Sequence, residues 1–303
     1  MKAHQNDKSI VCNSETTFQA LQEAHGTIPY GMTNDYMFRA VLQSNNNVLR
    51  GLICSLLHLE KDEVISVEIT NPIILGDSMG SKECRLDITV LLNDYTIINL
   101  EMQIANRKNW TNRSILYLCR SFDNPVRGQD YGEIKPAIHI GFLDYTLFEE
   151  YPEFYATYKL INVKNHNIYS DNFVLSVVDL SKINLATEED KAYRIDDWAA
   201  LFKATTWEEM KMIASSDEEM EEAVRSLFLF CTDEQVRKAC RERDEYYQDL
   251  ASYEREIAEK NTIIAEKDNA IAEKDNTIAE KEALIQELSA ELEMIKKQKA
   301  EVL

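Results

Sequence analysis

Two acids and an amide stand at alternating positions of two predicted strands, where together they could bind a cation. Segments 85–92 (RLDITVLL) and 96–104 (TIINLEMQI) are rich in β-branched residues, and only three residues separate them, which predicts a tight hairpin. Because side chains alternate along a strand, Asp87, Glu101 and Gln103 point away from the apolar faces. If both apolar faces join one core, these three groups lie on the same side of the sheet.

The chemistry open to such a group is the binding of a hard divalent cation. Adjacent carboxylates repel each other, and burying them is costly unless a positive charge lies between them. Mg²⁺ accepts one or two carboxylates together with waters and a substrate phosphate oxygen, and it could polarise a phosphodiester. The spacing also fits an ordinary solvated face of an antiparallel sheet, so both interpretations stay open.

The hairpin lies between predicted helices. One helix begins near Thr33, with Thr33, Asn34 or Asp35 as its N-cap, and a second covers 47–58. Strand 64–70 precedes the hairpin and makes it part of a three-strand meander. The remaining predicted elements before Ser181 are a helix over 107–124, a buried strand over 137–145 and a hairpin of 158–163 with 173–180.

The helix predicted over 107–124 is basic on one side. Its apolar side is expected to hold Ile115, Leu118, Cys119 and Phe122. Arginines recur every seven residues and so share a stripe that could hold DNA phosphates; these are Arg113, Arg120 and Arg127. A solvated amphipathic face is the alternative.

The last third of the chain is predicted to be helical. Four helical segments are expected over 188–203, 206–214, 217–230 and from 233 onward. The final 60 residues repeat with a period of seven, as in IAEKDNA and IAEKDNT, which predicts a coiled coil. One core position holds Leu250, Ile257, Ile264, Ile271, Ile278, Ile285 and Leu292. The other is apolar at both ends but carries Lys in four central heptads, which predicts weak pairing there.

The composition describes a folded protein with an acidic C-terminal part. The 303 residues are 45% apolar, enough for a substantial core. The first 180 residues contain 15 Lys/Arg and 22 Asp/Glu (net −7), whereas residues 181–303 contain 18 and 31 (net −13). The total charge of −20 opposes nucleic-acid binding. Residues 107–127, however, hold five basic side chains against one acid, so a local basic patch is expected.

Cellular location and cysteine chemistry follow from the same composition. No stretch approaches the apolar length of a membrane span and the N-terminus is polar, which predicts a cytoplasmic protein without a membrane partner. None of the six cysteines forms a CxxC pair, so reduced and mostly buried thiols are expected. His139, in an apolar strand, is interpreted as a satisfied structural histidine. Trp110 and Tyr117 are interpreted first as packing residues.

The order of the segments resembles the PD-(D/E)XK nuclease core. Within that superfamily the chain is most similar to the PD-(D/E)XK nuclease family transposases, which are related to the recombination-promoting (Rpn) nucleases. The likeness covers roughly residues 30–180. Its motifs, in order, are TNDYMFR at 33–39, Asn71-Pro72, Leu86-Asp87-Ile88, NLEMQ at 99–103, Arg113 with Tyr117, Asp130-Tyr131 and IKP at 134–136.

This resemblance implies roles for the acidic residues. Asp87 and Glu101 would be the catalytic acids that bind Mg²⁺ or Mn²⁺. Gln103 stands where the superfamily usually has Lys, so it could orient a water but could not supply positive charge. Leu86 replaces the Pro of the superfamily name without chemical consequence. Asp35 belongs to the family signature and is assigned to the catalytic group, with helix capping as the alternative.

The resemblance also implies a DNA partner, and the basic helix supplies the candidate contacts. These contacts are Arg107, Lys108, Arg113, Tyr117 and Arg120. The expected fold class is α/β (α+β), with a PD-(D/E)XK restriction-endonuclease-like core, a helical C-terminal region and a long terminal coiled coil. The expected divisions are a partly ordered lead-in (1–32), a nuclease-like domain (33–180), an acidic helical region (181–243) and the coiled coil (244–303).

Two functions are consistent with these features. The first is a Mg²⁺- or Mn²⁺-dependent DNA endonuclease of transposase-like or recombination-promoting type, which forms homo-oligomers through its coiled coil. The second is a catalytically weak or inactive nuclease-like scaffold that acts through coiled-coil interactions. Gln103 and the acidic C-terminal part favour the scaffold, whereas Asp87 and Glu101 favour the enzyme.

Overall fold

The computed structural model describes residues 14–73, 87–125, 128 and 130–301. The strands are β1 (Val67–Ile69), β2 (Ile88–Leu92), β3 (Thr96–Gln103), β4 (Ala137–Leu143), β5 (Tyr155–Ile161) and β6 (Ile168–Asp179). The helices are α1 (Ser14–Glu23), α2 (Asp35–Ser44), α3 (Asn46–Leu57), α4 (Trp110–Phe122), α5 (Glu188–Ala192), α6 (Ile195–Lys203), α7 (Trp207–Ala214), α8 (Glu218–Thr232) and α9 (Glu234–Glu301).

The strands form one mixed sheet in the order β1-β2-β3-β4-β6-β5. The predicted meander is confirmed, because β1, β2 and β3 pair antiparallel. β4 lies parallel to β3, and β6 lies parallel to β4. The predicted hairpin around 164–167 joins β5 to β6. The sheet is flanked by helices, so the mixed α/β fold class is confirmed.

The turn between β2 and β3 sets the register of the hairpin. Asn93 and Asp94 both adopt positive φ, at 50° and 55°, a region that these two residue types tolerate better than most. The Asn93 side chain accepts hydrogen bonds from the backbone N–H groups of Ile65 (2.7 Å) and Ser66 (3.1 Å). The turn is therefore tied to the segment that leads into β1.

The main core lies on one face of the sheet. The apolar residues of β2 and β3, including Ile88, Val90 and Leu100, are fully buried there against helices α2 and α3. Helices α6, α7 and α8 contribute to the same cluster, so residues on both sides of position 181 share one core. Leu21 and Met32 are also buried in it, which places part of the expected lead-in within the core.

Helix α4 covers the opposite face of the sheet. Its buried residues are Trp110, Ser114 and Leu118. Gly141 makes this packing possible, because a Cβ atom at that position would lie 2.0 Å from Cζ2 of Trp110. The expected apolar side of this helix is wrong in two places. Ile115 is 51% exposed and Cys119 is also exposed, since the helix packs through a face turned away from them.

The predicted helix over 188–203 is also wrong as a single element. The structure divides it into α5 and α6, because Arg194 adopts a left-handed conformation (φ 61°) between them. Arg194 pairs there with Asp197 and Asp217. These ion pairs offset the cost of the unfavourable backbone conformation.

The C-terminal helix α9 is continuous over 68 residues, as the absence of Gly and Pro predicts. The chain divides into two compact units, residues 1–244 and 245–303. The second unit therefore consists of the heptad-repeat part of α9. The four cysteines in the described part of the chain are free thiols, and Cys54, Cys231 and Cys240 are buried.

Candidate active site

The β2–β3 hairpin brings Asp87 and Glu101 together. Ile88 pairs with Leu100 and Thr89 pairs with Asn99 in the antiparallel register, and continuing this register by one residue places Asp87 opposite Glu101. Residues directly opposite each other in a ladder share a face. Asn99, two residues before Glu101, donates a hydrogen bond from Nδ2 to Oδ2 of Asp87 (2.9 Å). The predicted convergence of the two acids on one side of the sheet is therefore what the register produces.

Glu101 is buried beneath helix α4 rather than solvated. It is only 4% exposed, which rules out the ordinary solvated face considered from the sequence. Its Oε1 accepts hydrogen bonds from Nε (2.7 Å) and Nη2 (2.5 Å) of Arg113. Burial raises the pKa of Glu101 to about 7, Arg113 partly opposes this shift, and the charge of Asp87 adds to it.

The second carboxylate oxygen of Glu101 faces His139. Nε2 of His139 lies 3.7 Å from Oε2 of Glu101, beyond hydrogen-bond distance. His139 is fully buried, and burial together with the charge of Arg113 lowers its pKa to about 3, so the imidazole is neutral. Neither ring nitrogen has a hydrogen-bond partner among the residues that the structure describes. The expected satisfied histidine is buried as predicted, but it is not satisfied.

Among the described residues, buried acceptor atoms near Asp87 lack hydrogen-bond donors and could pair with a cation. Within the described part of the chain, Oε2 of Glu101 and Oδ1 of Asn99 are buried acceptors without a hydrogen-bond donor. Such atoms are costly unless something pairs with them, and a divalent cation would do so. No three His, Cys, Asp or Glu side chains in the described ranges are grouped closely enough to hold an ion. A cation here would therefore depend on Asp87 and Glu101 together with water and substrate oxygens, a ligand set typical of Mg²⁺.

Gln103 and Asp35 lie in different surroundings. Gln103 ends β3 on the same side as Glu101, and its Nε2 donates a hydrogen bond to the carbonyl oxygen of Ala105 (2.9 Å). Asp35 lies in the first turn of α2 and forms a buried ion pair with Arg243, whose Nε is 3.0 Å from Oδ1. Asn34, not Asp35, caps the helix. The catalytic assignments of Asp35 and Gln103 stay predictions.

Three motifs that are distant in sequence meet at Asp87. Arg39 is fully buried, and its Nη1 donates a hydrogen bond to the carbonyl oxygen of Asp87 (2.5 Å) while its Nη2 donates to that of Asn71. Asn71 donates from Nδ2 to the same Asp87 carbonyl (3.0 Å) and accepts from the backbone N–H of Thr89 (2.8 Å). Arg39 and Asn71 therefore hold the backbone that presents Asp87. Both residues belong to the family motifs, but residue type and position in the sequence did not indicate this role.

The predicted DNA contacts lie along and before α4. Lys108 and Arg120 are exposed, and Arg107 is half-buried. The guanidinium carbons of Arg113 and Arg120 lie 5.0 and 5.8 Å from the centre of the Tyr117 ring, within cation–π range. Arg113 also binds Glu101 and is therefore part of the acidic site. Arg127 lies outside the described residues.

The fold and this site define the class of protein. A mixed sheet flanked by helices, with two acids on adjacent strands beneath a helix, is consistent with a PD-(D/E)XK core. The chain belongs to the PD-(D/E)XK nuclease family transposases, whose family model matches residues 32–256. No curated protein and no solved structure matches the chain.

Membership of this family has three implications. It suggests a phosphodiesterase, implies DNA as a partner, and is typically accompanied by a divalent metal. In the described part of the chain, helices with the length and apolarity of a membrane span are absent.

Proposed function

We propose that this protein is a divalent-metal-dependent DNA endonuclease of transposase-like or recombination-promoting type, which hydrolyses phosphodiester bonds. The observation that carries the proposal is the closeness of Asp87 to Glu101, whose buried Oε2 has no hydrogen-bond donor among the described residues. In a family core of nuclease type, two carboxylates with an unpaired oxygen are suited to bind Mg²⁺ or Mn²⁺.

The residues around the acids would position them. Asn99 and the Arg39–Asn71 pair hold the side chain and backbone of Asp87, respectively. Arg113 holds Oε1 of Glu101 and leaves Oε2 without a hydrogen-bond donor among the described residues. A bound Mg²⁺ or Mn²⁺ would supply the positive charge that polarises the scissile phosphate. Gln103 would orient a water through its amide, after release of its hydrogen bond to Ala105.

The basic segment beside the site would bind the DNA backbone. Arg107, Lys108 and Arg120 are suited to phosphate contacts, because each is at least partly exposed. The ring of Tyr117 lies within cation–π distance of Arg113 and Arg120 and would help to hold their guanidinium groups in position. Arg113 would act mainly on Glu101. Association of copies through α9 would bring two nuclease domains into one assembly.

A nuclease-like scaffold with little catalytic power is the competing candidate, and one observation favours it. Arg113 already neutralises one oxygen of Glu101, and Gln103 donates to the backbone carbonyl of Ala105 rather than toward the acids. A site in that state needs rearrangement before it can cut DNA. The scaffold would act through association of its long helix.

Cleavage of supercoiled plasmid by the purified full chain separates the two candidates. With Mg²⁺ or Mn²⁺ we expect nicking that requires the metal, and we expect Asp87→Asn and Glu101→Gln each to reduce it by at least about 100-fold. The matched control is Asp94→Asn, an exposed acid in the turn of the same hairpin. Absence of nicking with any divalent cation, or equal nicking by Asp87→Asn, would reject the enzyme and leave the scaffold.

A further inference from the structure

The heptad part of α9 presents an apolar stripe that is exposed to solvent. The isoleucines of the first core position, called position a here, are between 53% and 61% exposed at Ile257, Ile264, Ile271, Ile278 and Ile285. Apolar surface in a regular stripe of this kind is characteristic of a helix that pairs with other helices. The stripe needs a partner helix with the same repeat.

The residues at the second core position, called position d, indicate which partner helix fits. It holds Tyr253 at one end and Leu288 and Ile295 at the other, but Lys260, Lys267, Lys274 and Lys281 in between. Lys260 pairs with Glu256 of its own helix (2.6 Å). The other three lysines have no acidic residue three or four positions away on either side, so their own helix cannot pair them. In the described part of α9, no ion pair involves Lys267, Lys274 or Lys281.

An acid directly follows each of these three lysines. Asp268, Asp275 and Glu282 occupy position e, next to d in the repeat. On one helix, neighbouring residues point in different directions and do not pair. In a parallel two-stranded coiled coil, however, a side chain at d packs into a hole that includes the e residue of the facing helix. In an antiparallel pair, d would face the isoleucines at a and the lysines would have no counter-charge.

We propose that α9 binds α9 of a second copy as a parallel, in-register, two-stranded coiled coil. Its central heptads are joined by ion pairs between the d lysines of one copy and the e acids of the other, which offset the repulsion between d lysines that meet at the same level. The isoleucines at position a and the apolar heptads at both ends supply the buried surface. The central pairs set orientation and register, because a slip of one heptad would leave charged residues unpaired at the end of the repeat. Ile at position a combined with Leu at position d, as at Ile285 and Leu288, favours two strands.

The inference goes beyond the proposed nuclease function and does not depend on it. Its residues all lie within the compact unit 245–303. Failure of plasmid nicking would leave it intact, and its own failure would leave the acidic pair at Asp87 and Glu101 intact.

Charge reversal in the full chain tests the pairing. One variant carries Lys267→Glu, Lys274→Glu and Lys281→Glu, and the other carries Asp268→Lys, Asp275→Lys and Glu282→Lys. By light scattering we expect the unaltered protein at twice 35.0 kDa and each variant alone at the mass of one chain, because the d residues of one copy and the e residues of the other then carry the same charge. An equimolar mixture of the two variants should return to the doubled mass, as a heterodimer.

A matched control reverses three charges in the same heptads on the outward side of the helix. Glu266→Lys, Glu273→Lys and Glu280→Lys occupy position c, which does not face a partner in a two-stranded coiled coil. We expect this variant to keep the doubled mass. If either core variant alone keeps the doubled mass, or if the mixture stays monomeric, the proposal is overturned.

Orientation is tested separately, so that unfolding of a charge variant cannot decide the result. Tyr253→Cys is made in a chain whose exposed Cys119, and also Cys12 and Cys84, are replaced by Ser. In a parallel in-register pair, two d residues at the same position meet, and mild oxidation should cross-link most of the protein as a dimer. A dimer that does not cross-link would show an antiparallel or shifted arrangement and would overturn the proposal.

Discussion

At the scale of single residues, Glu101 is buried, and its Oε1 is paired with Arg113. Its Oε2 has no hydrogen-bond donor among the described residues. Its pKa is raised to about 7 because burial disfavours the carboxylate more than Arg113 favours it. Without a bound metal, Glu101 therefore keeps its proton between about pH 4.5 and 7, a range in which an ordinary glutamate is ionised. A cation at Oε2 would favour the ionised form.

This raised pKa predicts a pH dependence of stability. Between about pH 4.5 and 7, a Glu in the unfolded chain ionises while folded Glu101 retains its proton. The group therefore stabilises the fold fully below about pH 4.5, and this contribution is lost as the pH rises through about 7. Relative to Glu101→Gln, the unaltered protein should lose on the order of 3 kcal/mol of unfolding free energy across that range.

Urea unfolding with a metal chelator at several pH values measures this difference. Glu101→Gln is the appropriate reference because its amide does not titrate while the surrounding side chains, including His139, stay in place. Parallel stability curves for the two proteins would contradict the raised pKa.

At the scale of elements, the contact between Trp110 and Gly141 positions α4 over Glu101. The Trp110 side chain lies where a Cβ at Gly141 would be, so α4 approaches β4 closely enough for Arg113 to reach Glu101. The helix thereby creates the burial that sets the pKa of Glu101. The position of α4 decides the chemistry of the site.

Gly141→Ala tests this contact. The new methyl group would clash with a rigid indole ring, so we expect a loss of about 1–3 kcal/mol of unfolding free energy. Trp110→Leu removes the ring, and in that background the additional cost of Gly141→Ala should fall substantially. Denaturant unfolding of both single variants and the double variant measures the coupling. Additive costs would show that the ring and the methyl group do not meet.

At the scale of the whole molecule, charge is distributed unevenly. The chain carries −20 overall, yet Arg107, Lys108 and Arg120 are grouped beside the site. DNA binding by an acidic protein then depends on a few local contacts, and each contact contributes to the salt dependence of the affinity.

Replacing these three residues together by Ala should weaken binding to duplex DNA. The dependence of log K on log salt should fall by about 0.9 for each phosphate contact removed, or nearly 3 in total if all three residues make one. Fluorescence anisotropy at several salt concentrations measures both values. Lys159→Ala with Lys164→Ala, on the β5–β6 hairpin, is the matched control. An unchanged slope in the triple variant would place the DNA elsewhere.

The sequence by itself determined the meander, the alternation that puts Asp87 and Glu101 on one side of the sheet, the basic helix and the unbroken C-terminal helix. These features follow from local periodicity: period two along a strand, and 3.6 or seven along a helix. The fold class was indicated separately, by the order of the family motifs along the chain.

Only the tertiary structure decided how the site is built. The burial of Glu101, its pairing with Arg113, the unsatisfied His139 and the Arg39–Asn71 support of Asp87 all join residues that are distant in sequence. Periodicity does not specify which helix face meets which strand, so the buried face of α4 and the break at Arg194 were also missed. Packing between elements determines these features, because it depends on the shapes and charges of residues that are far apart in sequence. Local periodicity does not specify which of them meet.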